Sequence, residues 1–290
     1  MNEYATNRNF MKSLLGDYDL IATADIAKGI PQPEFQKPVK KGSSIVELPI
    51  ITSQSAPKAD YFEIIKSRIS RRAYSKVPIS IDELSFLLWS TQGVKKVIGG
   101  YRGYIKDGTG RNYLRPVASG GCINAYETYI VINNVKDVKN GVWRYLPLSN
   151  QIVLEKQVDD IPRKISEVFT NKSQNQSYAS KAAAIFFWAC IPYRGEWRYK
   201  ETSHKIMLLD LGHISHQFYL ATEAIGCGCC AIGGYYQDKA DAFIGVNGED
   251  EYTVLCASVG SVIEEEKNWI EQFPDARKNP DFYKIKRESK

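Results

Sequence analysis

The sequence predicts an α+β domain, and three observations carry that prediction. Extended segments come in a group: 127–133 (ETYIVIN), 141–145 (GVWRY) and 151–154 (QIVL) follow one another with short breaks. A continuous apolar run, 182–190 (AAAIFFWAC), has the length of a strand. One long segment, 203–225, repeats apolar residues at helical spacing. Helices and strands therefore alternate in blocks, the pattern of α+β rather than doubly wound folds.

In chain order, residues 1–58 read as an N-terminal extension. A helix is expected over 9–15, then Pro31, Pro33, Pro38, a Lys-Lys-Gly turn and a short apolar run, 44–51. That proline spacing suggests an arm lying across another surface, such as a partner subunit. The principal domain spans 59–263, and 264–290 is a charged tail. Tyr61–Ile65 is short and amphipathic and leads into KSRISRRAY, residues 66–74. Ser80 with Glu83 three residues on forms a capping box for a helix whose buried face holds Leu84, Leu87, Leu88 and Trp89, with Gly93 at its end. Residues 95–115, rich in Gly, Tyr, Lys and Arg, have no period and read either as a lid or as a disordered insertion. The group of three strands follows, then a helix over 161–169 and a looser polar stretch, 171–178. The run 182–190 reads as a central strand buried on both faces. In 203–225, Ile206, Leu209, Ile214, Phe218, Leu220, Ala221 and Ile225 recur, and Gly226 stops the helix. A Gly-Cys segment (226–234), a helix (238–244), a strand (251–259) and the tail complete the chain.

With 290 residues, 43% hydrophobic and 24% charged, the composition is that of a globular protein with a sizeable core. The formal charge of +5 is scattered, with no basic run to indicate nucleic acid; it suits a pocket for an anion. The first twenty residues carry no apolar stretch of signal-peptide length, and no window matches a membrane helix, so a cytoplasmic location is expected. Six cysteines make no disulfide framework; Cys227, Cys229 and Cys230 read as packed thiols in a reducing compartment.

Chemistry concentrates first at Arg68, Arg71 and Arg72. Guanidiniums are planar donor forks that stay charged and match phosphate or an anionic ring edge. Ser70 between them strengthens that reading; a solvated basic helix end is the alternative. His213 and His216 with the nearby cysteines lack zinc-knuckle spacing, and no oxyanion-hole pattern accompanies a cysteine nucleophile. Neither a dinucleotide-binding Gly-x-Gly-x-x-Gly after an early strand nor a Walker A sequence is present.

Four blocks, SRISRRAY with PISIDELSFLLWSTQG, ASGGCINAYETYIV, RGEWRYKETSHKIMLLDLGHISHQ and AIGCGCCAIGGYYQDKADAFIGV, resemble the nitroreductase superfamily of FMN enzymes over roughly 61–260. Within it the chain is most similar to the SagB-type dehydrogenases, which oxidise azoline rings in peptide natural products. The resemblance implies a nitroreductase-like fold, a mixed or antiparallel central sheet flanked by helices, and a homodimer. It implies that Arg68 and Ser70 hold the FMN phosphate and that Arg72 lies near the N1/O2 edge of the ring, with Arg71 solvated. Ser119, Gly120 and Gly121 would bring bare backbone to the flavin. Gly233 and Gly234 match the turn whose N–H bonds flavin N5, Gly234 above all. Lys267 is the late basic residue that stands in for one the family uses at the phosphate. Tyr199 or Lys200 would move the proton, because Arg198 replaces the family lysine; alternatively Tyr199 only packs. Ala118 and Ala125 replace prolines that stiffen the glycine turn in the family. His213 would line the flavin or dimer interface, or be a hydrogen-bonded core residue.

Three functions follow from the resemblance. The first is a SagB-type dehydrogenase acting on a modified peptide within a biosynthetic complex. The second is a stand-alone NAD(P)H-dependent reductase of nitro or quinone compounds, and the third a flavin- or peptide-binding partner without turnover.

Overall fold

The computed structural model describes residues 3–12, 22–99, 111–169 and 177–267. Seven strands form the central sheet in the order β1-β6-β5-β4-β7-β9-β8. They are β1 (Ile45–Glu47), β4 (Tyr126–Ile132), β5 (Gly141–Leu146), β6 (Gln151–Gln157), β7 (Ala184–Cys190), β8 (Cys227–Ile232) and β9 (Tyr252–Ser261). Every neighbouring pair is antiparallel. The strands expected from alternation and from the apolar run all join it.

The sheet is buried on both faces because its strands are apolar on both sides. Along β7, Phe186, Trp188 and Cys190 enter one core and Ile185, Phe187 and Ala189 the other, as the two-residue period of a strand requires. On the first face lie α3 (Ile81–Gln92) and the long α6 (Ser203–Ala224), whose Phe218 ring sits 4.6 Å from Phe186 and 5.4 Å from Trp188. On the second lie α4 (Ile161–Phe169) and α7 (Gln237–Ile244). Each such large apolar side chain taken from water contributes roughly 1.5–3 kcal/mol. The remaining helices are α1 (Ala5–Met11), α2 (Tyr61–Ser67), α5 (Tyr193–Tyr199) and α8 (Glu264–Lys267).

The capping box forms as expected: Ser80 N donates to Glu83 Oε2 at 2.6 Å and Glu83 N to Ser80 Oγ at 3.2 Å. Gly93 does end α3, but with φ −62° it is no left-handed cap. A Cβ there would fall 2.5 Å from Trp89 Cδ1 and 2.8 Å from Trp89 O, so crowding by the Trp89 ring and backbone is what demands glycine.

Two local expectations are corrected, and one segment left without an element by the sequence is assigned. In the Gly-Cys segment, 227–232 is the strand β8, its small residues letting other chain segments cross closely. Residues 95–115 are not without structure, since β2 (Lys96–Gly99) and β3 (Arg111–Leu114) pair as a ribbon; 100–110 lie outside the described residues. The first helix begins at Ala5, earlier than position 9, and the second half of the expected 9–15 helix lies outside them, as do most of 171–178 and the tail beyond 267.

The N-terminal segment binds its own chain. β1 extends the central sheet beside β6, and Phe35 and Leu48 are buried. Arg144 donates to the carbonyls of Lys37 at 3.1 Å and Pro38 at 3.0 Å, and Trp197 Nε1 to Ile30 O at 2.9 Å.

Candidate active site

The arginine segment leaves α2 and runs extended across β8. Asp60 caps that helix, accepting from Glu63 N at 3.1 Å. Arg71 N donates to Cys229 O at 2.9 Å, which ties the segment to the strand. Ser70 is half-buried, Arg71 buried and Arg72 exposed. Arg68 lies over the Tyr219 ring, 5.2 Å from its centroid, and Arg72 over Tyr178 at 5.7 Å. Ser70 Oγ and Tyr219 OH are 2.9 Å apart, and Tyr219 OH accepts from Ala231 N at 2.8 Å. Arg72 remains exposed, with Nη1 donating to Ser70 O at 3.3 Å.

Arg71, expected to be solvated, is only 3% exposed. Its guanidinium forms an ion pair with Glu223 on α6 and donates to Ser67 O at 3.3 Å. Gly228 makes room for it: a Cβ at Gly228 would fall 2.8 Å from Arg71 Cβ.

The Ser119–Gly121 turn docks on the first half of α6. Ser119 Oγ donates to Asp210 Oδ2 at 2.6 Å, and Gly120 N to Asp210 Oδ1 at 2.9 Å. Burial pushes the Asp210 carboxyl above its ordinary value, while these two bonds pull the other way. A Cβ at Gly120 would fall 2.4 Å from Ile206 Cγ2. Gly121 has φ +61°, and a Cβ there would fall 2.4 Å from Tyr199 OH. Within the chain, these two glycines answer to α6 and to Tyr199.

Tyr199 ends α5 and lies on Gly121; Arg198 Nη1 donates to Gly121 O at 2.8 Å. Lys200 follows in a left-handed conformation, φ +48°, with Nζ donating to Thr23 Oγ1 at 3.2 Å. The two side chains expected to act on a proton thus contact different partners, one the glycine turn and the other the N-terminal segment. Gly233 and Gly234 follow the last residue of β8. Gly233 is exposed, with nothing within 4 Å of where a Cβ would stand. Lys267 is the last residue of α8. His213 is exposed on α6, its Nδ1 3.3 Å from Ala118 O, and is not a core residue. Cys227, Cys229 and Cys230 are buried in β8, and burial pushes the Cys227 thiol up to about 12.

The long helix α6 gathers these pieces. Asp210 carries the glycine turn, and Tyr219 and Glu223 carry the arginine segment, the first pair about 14 Å apart along the axis at 1.5 Å per residue. Sequence reasoning missed Asp210, Tyr219 and Glu223 as site residues. A carboxylate on an otherwise apolar helix face was the signal for Asp210. Tyr219 and Glu223, four residues apart on one face, offered a weaker one.

An antiparallel sheet covered by helices on both faces, with guanidiniums, a serine and bare glycines at one helix, defines an α+β protein equipped for an anionic ligand. Residues 65–261 match the model of the Nitroreductase family, and the chain belongs to that family, an oxidoreductase by class. It is 23% identical to a protein of Methanocaldococcus jannaschii named as a nitroreductase, over 70% of this chain and 91% of that one. Among solved structures, one from Ralstonia eutropha described as a nitroreductase aligns with a TM-score of 0.59 at 18% identity, covering 81% of this chain and 95% of that one. The Escherichia coli microcin synthetase McbBCD complex, with truncated pro-MccB17 bound, aligns with a TM-score of 0.55 at 16% identity, covering 79% of each chain. A nitroreductase-like structure from Anabaena variabilis aligns with a TM-score of 0.54 at 20% identity over 70% of this chain, which spans 38% of that longer one.

Proposed function

We propose that this chain is an FMN-dependent oxidoreductase of the SagB type, working as a homodimer on a modified peptide. The observation that carries the reading is the placement of Arg68, Ser70 and Arg72 beside β8, with the Gly233–Gly234 turn at the end of that strand. Two guanidiniums and a hydroxyl suit a phosphate and the anionic edge of a reduced ring. Open space at Gly233 suits the close approach of a planar group. FMN would supply N5 as the hydride acceptor and donor. Arg68 and Ser70 would hold its phosphate, with Lys267 as a further candidate. Arg72 would stabilise charge developing at N1, and Gly234 N–H would donate at N5. Ser119, Gly120 and Gly121 would present backbone to the ring, held in place by Asp210.

A guanidinium, as at Arg198, is a poor base. The proton steps are therefore assigned to Tyr199 and Lys200. Likeness to a peptide-modifying complex supports a peptide substrate; a stand-alone NAD(P)H-dependent reductase is the second reading, supported by family membership.

The test is the absorption spectrum of purified protein, followed by anaerobic NADH, NADPH and candidate azoline peptides. The expected result is a yellow protein, or one that becomes yellow with FMN, oxidising azolines and re-oxidised by an electron acceptor. Bleaching by NAD(P)H without any peptide turnover assigns the second reading. A colourless protein that takes up no FMN overturns both.

A further inference from the structure

A second cationic site lies beyond the Ser119–Gly121 turn. A small cleft of about 30 Å³, space for roughly two water molecules, opens between the N-terminal segment (Ile26, Gln32, Phe35), the turn residues Gly121–Ile123 and α5, which contributes Arg194, Trp197 and Arg198. Arg194 is 5% exposed. Its Nε donates to Glu34 O at 2.9 Å and its Nη2 to Glu127 Oε1 at 2.6 Å, but its Nη1 has no acceptor. Arg198 is half-buried at the mouth and donates to the Gly121 carbonyl.

The charges behind the cleft are unevenly matched. Glu127 is shared by Arg194 and Arg144, at 2.6 and 3.6 Å. Glu155 serves Arg144, and Glu251 is taken by Lys37. Arg115, 7% exposed, lies over the Phe35 ring at 4.6 Å, bonds Gln92 and has an Nε without a partner. Burial and the neighbouring Arg194 push it down to about 9. A buried cation without a full complement of acceptors is costly, and an incoming anion relieves that cost.

We propose that this cleft binds a carboxylate of the substrate, on a peptide side chain or at a peptide C-terminus, at the Arg198 guanidinium, with the charge of buried Arg194 behind it. A guanidinium presents a planar donor fork to a carboxylate, and Ile26, Phe35 and Trp197 line the same cleft. As a substrate subsite, it rests on the reading that places the flavin at Ser119–Gly121. Binding alone is therefore measured, without turnover.

The experiment titrates the full-length protein, with and without added FMN, with N-acetyl-diglycine, its C-terminal amide, the α-amide of N-acetylaspartate (side-chain carboxylate free) and inorganic phosphate. Calorimetry reports binding. Either carboxylate should bind at least tenfold more tightly than the amide, weakening as salt is raised, with FMN making no difference. The stronger of the two carboxylates identifies the source. Arg198→Gln should cost about tenfold in carboxylate affinity with an unchanged melting temperature, and Arg198→Lys should recover part of it. Equal binding of the amide, an unaffected Arg198→Gln protein, tighter binding of phosphate, or displacement by FMN would each overturn the assignment.

Discussion

Residues 70–72 place three adjacent polar side chains in different surroundings. Arg71 is buried against Glu223, Ser70 is half-buried on Tyr219 and Arg72 is exposed. A cation near flavin N1 favours the anionic reduced ring, so Arg72→Ala should lower the flavin potential. It should also weaken FMN retention by about tenfold or more, the worth of one charged hydrogen bond. Redox titration and equilibrium dialysis check this, and an unchanged potential would remove Arg72 from the ring edge. Gly233→Ala is a complementary probe. Because nothing in the chain lies within 4 Å of its Cβ, the melting temperature should hold while flavin loading falls. Full loading would place the turn away from the ring.

At the scale of elements, α6 holds two loops far apart in sequence, and Asp210 is its link to the glycine turn. Asp210→Asn keeps the shape but leaves one of the two donors, Ser119 OH or Gly120 N–H, poorly served. A loss of about 1–2 kcal/mol in stability is expected from denaturant unfolding. The sign of its pH dependence follows from the raised carboxyl. The folded state binds the proton more readily than the unfolded state, whose value is near 3.8. The stabilisation from Asp210 protonation is thus complete below 3.8 and is lost as pH rises through the higher folded value. In Asp210→Asn that downward slope should vanish. A slope equal to that of the wild type would show that another group carries it. The capping box of α3 was legible because its chemistry is local, three residues apart. The reason for Gly93 was not, because it depends on how closely the chain passes Trp89, ring and backbone, as it leaves the helix.

For the whole molecule, the exposed face of α6 and the course of the N-terminal segment matter most. Leu208 and Leu209 are 47% and 57% exposed, beside Gly212, His213 and His216. A helix that buries Phe218 on one side and exposes leucines on the other suits a subunit interface. Leu209→Asp should raise the dimer dissociation constant by tenfold or more, seen by analytical ultracentrifugation, while the far-ultraviolet circular dichroism is unchanged. A wild-type monomer at all concentrations would refute the dimer. Segment 30–48, whose proline spacing suggested an arm for another surface, packs against its own sheet through Arg144, Arg194 and β1.

Periodicity determined the strand 127–133 and the helix 203–225, because burial on one face imposes a repeat, and the length of an unbroken apolar run determined the strand 182–190, which is buried on both faces. The order of strands in the sheet, the inward turn of Arg71 and the meeting of Ser119 with Asp210 were decided only by tertiary structure. Those contacts join residues as far as about 150 positions apart, and no local pattern records which of many such pairs will meet.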